Sequence, residues 1–216
     1  MGKQKAKMII GIDEVGRGAL SGPVAVAAAV IPKNSKFPPQ RGEAAKLKLR
    51  DSKRLTPLQR EKWFKWIKQN KIPYALASIS PKTIDKINIS NAANLAAQKA
   101  FSKLTKNYKL KTKNCRVFLD GGLYLKNLKP NTQNLKPKTI IKGDEKIKAI
   151  MLASIIAKIT RDKKMKQLHK KYPRYGFNQH KGYGTKKHLK AIKKNGPCKI
   201  HRRSFLKKIL GKRKPR

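Results

Sequence analysis

Residues 8–31 read MIIGIDEVGRGALSGPVAVAAAVI. Met8–Ile12 is bulky, β-favouring and free of charge, which predicts a buried strand. Asp13 and Glu14 stand at its exit. Gly16-Arg17-Gly18 and Ser21-Gly22-Pro23 then break the chain, and Val24–Ile31 predicts the returning strand. Two adjacent carboxylates at the end of a core strand repel each other and lose hydration, which costs free energy unless a cation is close. Taken alone, the pair also fits a solvated turn. The rest of the chain decides between the two.

Beyond this hairpin, residues 32–56 form a Pro- and Lys-rich connection containing Asp51-Ser52-Lys53. Thr56, an N-cap type, and Pro57, suited to a first helical position, open a helix to about Asn70, with Leu58, Trp63, Phe64 and Ile67 as its core face. Ile72–Ser80 predicts a third strand. Ser80-Pro81 opens a helix to about Leu104, with small core-facing residues at Ala92, Ala93, Ala96 and Ala97. Cys115–Leu119 predicts a fourth strand, ending in Asp120-Gly121-Gly122, and Thr139–Lys142 a short fifth, ending in Gly143-Asp144-Glu145. A helix follows to about Lys171, apolar on nearly every face from Ala149 to Ala157. If strands one, four and five run parallel, Asp13, Asp120 and Asp144 emerge at one carboxyl-end edge, where open α/β sheets carry their sites. Asp144 would also sit at the N-terminus of the long helix, where dipole and free amides favour a carboxylate; a plain N-cap is the other reading.

The 216 residues suffice for one domain with a sizeable core. Lys and Arg number 56 against 10 Asp and Glu, a formal net charge of +46, which favours a polyanionic partner, most simply nucleic acid. A general lysine bias contributes to the same number. With only ten acids in the chain, placing Asp13, Glu14, Asp120, Asp144 and Glu145 at strand ends argues for need. The 54 residues after Asp162 hold no acid and 21 Lys and Arg, with Tyr172, Tyr175, Phe177, Tyr183 and Phe205 among them. Such aromatics suit stacking on sugars or bases, or the packing of a small helical subdomain. Cys115 and Cys198 lack metal-ligand spacing, and no signal peptide or ~20-residue apolar span occurs, which predicts a reducing, cytoplasmic setting without a membrane.

Converging carboxylates beside a basic surface suit oxygen-loving divalent cations such as Mg²⁺ or Mn²⁺. Two such ions about 3.5–4 Å apart can activate water and stabilise the leaving oxygen of a phosphodiester. No P-loop, HExxH or Cys/His cluster is present. His169, His180, His188 and His201 read as packing or nucleic-acid residues.

These residues also carry a resemblance. GIDEVGRGALSGPV, DSKRL, FLDGG, IKGDEKIKAIMLASIIAKITRDKKM, YGFNQHKGYGTKKH and GPCKIHRRSF, in this order over most of residues 8–206, resemble ribonuclease HII, the type 2 ribonuclease H. The resemblance implies an α/β, ribonuclease H-like fold with a five-stranded mixed sheet flanked by helices. It implies a catalytic domain over 1–171, a C-terminal helical substrate-binding subdomain over 172–206 and a basic flexible tail over 207–216, in a monomer. It also implies metal-dependent cleavage of the RNA strand of RNA–DNA hybrids and incision 5′ of single ribonucleotides in duplex DNA, leaving 3′-hydroxyl and 5′-phosphate ends, with two Mg²⁺ or Mn²⁺ ions. By motif, Asp13, Glu14, Asp120 and Asp144 are the catalytic metal ligands. Gly16-Arg17-Gly18 matches the segment on the ribose 2′-hydroxyl, the group that separates RNA from DNA. Tyr183 matches the ring that packs on the next sugar, and Lys53 is placed at a phosphate. Asp162, in TRD, is read as a structural ion-pair residue and Glu145 as solvated.

The Lys-rich stretches at 46–54, 105–113 and 126–138, and the extension 206–216, go beyond the matched motifs. Only seven residues precede the first strand, against the extra N-terminal domain of the related type HIII. Two rival classes stay open on residues alone. A non-catalytic basic nucleic-acid binder would not need Asp13, Asp120 and Asp144. A transposase or junction nuclease of the same superfamily would share the acids but lack the Gly16-Arg17-Gly18 turn and the Tyr183 motif.

Overall fold

A computed structural model of the chain describes residues 7–33, 48–126 and 135–210. Most of the predicted 32–56 connection, part of the Lys-rich 126–138 loop and the end of the tail lie outside the described residues. Five strands form one sheet: β1 (Met8–Val15), β2 (Val24–Pro32), β3 (Tyr74–Ile79), β4 (Cys115–Asp120) and β5 (Lys138–Ile140). Their order is β3-β2-β1-β4-β5. β1 pairs antiparallel with β2, and β2 with β3, whereas β1–β4 and β4–β5 are parallel. The sheet is therefore mixed, with strands one, four and five aligned as their acids require.

Helices cover both faces. α1 (Pro57–Gln69), α2 (Pro81–Ile87) and α3 (Ile89–Asn107) lie between β2 and β4 in sequence, and α4 (Gly143–Lys146) and α5 (Lys148–Lys171) follow β5. β2 is buried on both faces from Val24 to Ile31. Alternation sends Val24, Val26, Ala28 and Val30 into a core with Ile10, Ile12 and the alanines of α3. It sends Ala27, Ala29 and Ile31 into a second core with Trp63, Ile67 and the apolar run of α5. Where α5 crosses the sheet, β1 and β2 present small residues, Gly11, Ala27 and Ala29. At Gly11 an added Cβ would lie 2.2 Å from Ala149 C and Ile150 N, so the helix backbone rests directly on β1.

Several predicted details differ; β5, for one, ends at Ile140 and not at Lys142. Leu58 is 63% exposed, because it sits about 140° around α1 from Trp63 at 100° per residue; Trp63 and Ile67 face the core as expected, and Phe64 is half-buried beside Tyr74. The helix predicted over 81–104 is two helices. Asn88 adopts φ 62°, ends α2 and caps α3 by accepting from Asn91 N–H at 3.0 Å. The helix predicted from Glu145 is likewise broken, at Ile147, whose extended backbone separates the single turn α4 from α5.

The C-terminal region adds α6 (Phe177–His180), α7 (Lys186–Asn195) and α8 (Arg203–Leu210). α8 runs past residue 206, so the predicted tail begins as helix. Leu20 of the hairpin turn and Met165 of α5 join Tyr175, Phe177, Ile192 and Leu206 in a third core. Beneath it His188 and His201 are buried. The Cys198 amide donates to His201 Nδ1 at 2.9 Å, which leaves the His201 proton on Nε2, 3.2 Å from His188 Nε2. His188 then holds its own proton on Nδ1 and donates to the Tyr183 carbonyl at 2.9 Å. The network assigns one neutral tautomer to each ring, and a second proton on either would set two donors face to face.

Burial lowers both rings to about 4. The unfolded histidines titrate near 6.5, so as pH falls from 6.5 towards 4 the unfolded chain binds protons that the folded one refuses, and stability falls. At 1.36 kcal/mol per unit, each ring costs about 2 kcal/mol by pH 5. His201→Gln should therefore lose less melting temperature between pH 7 and pH 5 than the parent, measured in parallel; other titrating groups are common to both proteins. Identical slopes would remove His201 from the acid sensitivity.

Candidate active site

In the parallel β1–β4 register Ile12 pairs with Leu119, so Asp13 and Asp120 leave adjacent strands side by side. Alternation turns Asp13 towards α5, where Ser154 hydrogen-bonds it, and turns Glu14 to the opposite face. At the strand ends they converge: one carboxylate oxygen each from Asp13, Glu14 and Asp120 lies within 4.8 Å of the others. Asp120 Oδ1 accepts from the Gly143 amide at 2.8 Å and the Asp144 amide at 3.3 Å. The free amides that open α4 thus go to Asp120. Asp144 is not an N-cap: that position is Lys142, in a left-handed conformation. Asp144 is buried, outside the tight trio, with Oδ2 3.2 Å from Lys53 Nζ. Lys53, expected at a phosphate, holds a carboxylate here.

The trio is electrostatically unsatisfied. Burial first, then the charges of Glu14 and Asp120, hold the Asp13 carboxyl well above its ordinary range. Burial also raises Glu14, against the pull of Arg17. Glu14 Oε2 is buried with no hydrogen-bond partner among the described residues. An all-oxygen, over-charged donor set with an orphaned oxygen fits a hard divalent cation such as Mg²⁺ or Mn²⁺, and lacks the nitrogen and sulfur that softer metals select. Asp51 extends the acidic edge. It is buried beside Asp144, and burial, then Asp144's charge, raise its pKa against the Lys53 amide bond. A hydroxyl pair, Ser52 Oγ and Ser154 Oγ at 2.7 Å, links this segment to α5.

The turn after β1 lies next to the trio. Arg17 reaches Glu14 Oε1 at 3.5 Å, Gly122 O at 3.3 Å and Ser90 Oγ at 3.0 Å. Its two glycines serve different sides. Gly16 has φ +87°, and a Cβ there would lie 2.1 Å from Arg161 Nε; at Gly18 a Cβ would meet no atom within 4 Å. The amides of Arg17 and Gly18 have no partner among the described residues. Tyr183 belongs to the same structure. Leu20 and Ser21 donate to Gly182 O at 2.8 and 3.3 Å, and the half-buried Tyr183 ring lies 5.3 Å from the Arg161 guanidinium carbon.

Two buried arginines stand behind the turn. Arg202 donates to Gly16 O at 2.7 Å, Arg17 O at 2.8 Å and Gly22 O at 3.0 Å. Arg161 donates to Lys181 O at 2.9 Å, Ser21 O at 3.1 Å and Pro23 O at 3.1 Å. Burial, then Arg161's like charge, lower Arg202 to about 9, so it stays protonated at neutral pH. Residue patterning singles out neither arginine, nor Asp51 or Ser154 as site residues, since the groups they meet here are distant in sequence. Asp162 pairs with Lys158 at 2.8 Å, as expected of a structural acid, and the exposed Glu145 pairs with Arg54 at 3.6 Å.

Residues 10–208 match the family model Ribonuclease HII. The chain is 43% identical over 208 residues to the ribonuclease HII of Caldicellulosiruptor saccharolyticus, covering 96% of this chain and 91% of that one. It is 46% identical over 199 residues to that of Pelagibacter ubique, covering 92% and 96%. Among solved structures, the ribonuclease H2 of Pyrococcus horikoshii superposes with TM-score 0.67 at 26% identity, over 94% of this chain and 96% of that one. A ribonuclease HIII in complex with Mn²⁺ shares the fold, with TM-score 0.64 at 19% identity, over 95% and 70%. With the family model spanning nearly the whole chain, and its motifs meeting at one oxygen-rich sheet edge, the chain belongs to the ribonuclease HII family and is a metal-dependent ribonuclease H.

Proposed function

We propose that this enzyme incises duplex DNA 5′ of a single embedded ribonucleotide and cleaves the RNA strand of RNA–DNA hybrids, leaving 3′-hydroxyl and 5′-phosphate ends. The observation that carries this reading is the pairing of an over-charged carboxylate trio with an adjoining turn that presents two unpartnered amides. Asp13, Glu14, Asp120 and Asp144 would hold two Mg²⁺ or Mn²⁺ ions. When bound, such ions supply an activated water and stabilise the leaving oxygen of a phosphodiester. The remaining tasks fall to the chain itself. Asp120 is oriented by the amides that open α4, and Ser154 orients Asp13. Lys53 Nζ holds Asp144 and can move to a phosphate without losing its charge, because its side chain is largely exposed.

Discrimination falls to the turn and to Tyr183. The outward amides of Arg17 and Gly18 are donors for a ribose 2′-oxygen, and the open space over Gly18 admits a sugar. The Tyr183 ring lies against the following sugar, where a deoxyribose fits better than a ribose bearing another hydroxyl. The expected setting is a monomer in the cytoplasm acting in ribonucleotide excision repair. Both cysteines are free, and no helix among the described residues is long and apolar enough to cross a membrane.

Asp13→Asn should abolish turnover. Because the parent carboxylate is buried among like charges, the variant should also melt a few degrees higher in chelator, about 2–4 °C for each kcal/mol relieved, and lose the stabilisation that Mg²⁺ or Mn²⁺ gives the parent. Mg²⁺-dependent cleavage by folded Asp13→Asn would sink the assignment.

Gly18→Ala should keep the parent melting temperature, since its Cβ meets open space, yet lose incision because the methyl occupies the sugar's approach. Gly16→Ala should lose stability instead, by collision with Arg161. Equal melting and equal activity for Gly18→Ala would place the sugar elsewhere.

Tyr183→Ala should slow incision at a lone ribonucleotide by roughly ten- to a hundred-fold, as expected for one aromatic contact of about 1–3 kcal/mol, and slow cleavage of a long hybrid far less. Equal losses on both substrates with a lowered melting temperature would make the ring a packing residue.

A further inference from the structure

Arg202 and Arg161 are almost fully buried, and neither forms an ion pair with a carboxylate among the described residues. A buried cation of this kind is costly unless its donors are satisfied. Here they are satisfied by main-chain carbonyls, six in all, five of which belong to the single stretch from Gly16 to Pro23. The stretch is thus gripped from beneath at both its ends, at Gly16 and Arg17 and again from Ser21 to Pro23.

The grip has a directional consequence. In a trans peptide the C=O of one residue and the N–H of the next point in opposite directions. Arg202 pulls the Gly16 and Arg17 carbonyls inward, so the Arg17 and Gly18 N–H groups point outward, on the same side. These are the two amides without partners. Gly16 alone tolerates the necessary backbone, because a Cβ would occupy the place of Arg161 Nε. Arg202 is itself seated by its main chain: its N–H donates to Leu20 O at 2.9 Å, and the preceding His201 bridges to Ser21.

We propose that Arg202 is a positioning residue for ribose recognition, aiming the Arg17 and Gly18 amides at one acceptor by holding the carbonyls behind them, and that Arg161 locks the Tyr183 segment to the same turn. This rests on the reading of Gly16–Gly18 as the ribose-contacting segment. Arg161 is suited to the second task because one guanidinium spans both pieces, Ser21 and Pro23 on the turn and Lys181 on the Tyr183 segment, with the Tyr183 ring against its face. A lysine could not replace either residue. Its donors radiate from one atom, whereas the planar fork delivers N–H groups to three separated carbonyls.

The test crosses enzyme and substrate. Two duplexes are compared, one with a single ribonucleotide and one with 2′-deoxy-2′-fluoro sugar at the same position, because fluorine is a poor acceptor and no donor. The parent is expected to prefer the ribonucleotide in kcat/KM. Arg202→Lys keeps the charge and the aliphatic stem but loses the fork. It should shrink that preference about tenfold while leaving affinity for an all-DNA duplex within about twofold. Arg161→Lys should leave the 2′-preference closer to parental and reduce incision at the lone ribonucleotide relative to a long hybrid. A merely structural role would lower both substrates together, in step with the melting temperature, and leave the ratio unmoved.

If the parent shows no preference between hydroxyl and fluorine, the ribose-contact reading fails. If the parent shows it and folded Arg202→Lys retains it in full, the positioning proposal fails and the reading stands. Should Arg202→Lys not fold, Arg202→Gln is judged by the same ratio. Loss of fold in both would make Arg202 structural and overturn the proposal.

Discussion

At Gly11 the start of α5 lies so close to β1 that a Cβ would sit 2.2 Å from its backbone. The approach is possible because the facing surface of the sheet is Gly11 with Ala27 and Ala29, and the facing surface of the helix includes Ala149, Ala153 and Ala157. Much of the site follows from it. With α5 seated at this depth, Ser154 comes to Asp13, and the turn α4 that precedes α5 is held where its amides meet Asp120. A larger side chain at residue 11 would lift the helix and separate acids that come from β1, β4 and α4. The opposite face has no such restriction and is filled by Val24, Val26, Val30, Ile10 and Ile12 against α3. Rigidity at the site therefore comes from small residues, and most of the apolar bulk comes from the other layer.

The acidic edge would be expensive in an ordinary protein, because buried like charges repel. In this chain, with net charge +46, they sit in a positive surrounding. Three of the ion pairs in the described residues lie along this edge: Arg17 with Glu14, Lys53 with Asp144 and Arg54 with Glu145. Each is long or exposed, and none removes the orphaned oxygen of Glu14. The cations lower the cost of assembling the acids without neutralising them, which keeps the donor set available to a divalent ion.

The succession of strands along the chain and the meeting of Asp13 with Asp120 were legible because alternation, turn residues and charge at strand ends act locally and were all consistent. The breaks at Asn88 and Ile147 were not. Each interrupts a helical pattern that continues in register on both sides, and only the backbone angle reveals it. Asp144 was correctly placed at the edge but for a reason the structure changes: it lies in a separate turn, and the helix-opening amides serve Asp120. Leu58 failed because an apolar residue in a first helical turn was assigned to a face by near spacing, and 140° is too far. The carbonyl grip of Arg161 and Arg202 was out of reach, since main-chain acceptors carry no residue signature and nearly 140 or more residues separate most donors from acceptors.

That grip also bears on how the turn meets a polyanion. An arginine neutralised by a carboxylate presents little net field, whereas one bonded to carbonyls keeps its full charge while its donors are satisfied. Two such charges lie directly behind the Gly16–Pro23 turn. The carbonyl dipoles are aligned with their negative ends inward, and the partnerless amides at Arg17 and Gly18 carry the positive ends outward. The turn therefore offers a polyanion a positive, hydrogen-bonding surface without a mobile lysine side chain that would have to be ordered at each encounter. Surface lysines elsewhere attract any nucleic acid through the same long-range field. At this turn positive charge is combined with fixed donor directions, as the proposed ribose contact requires.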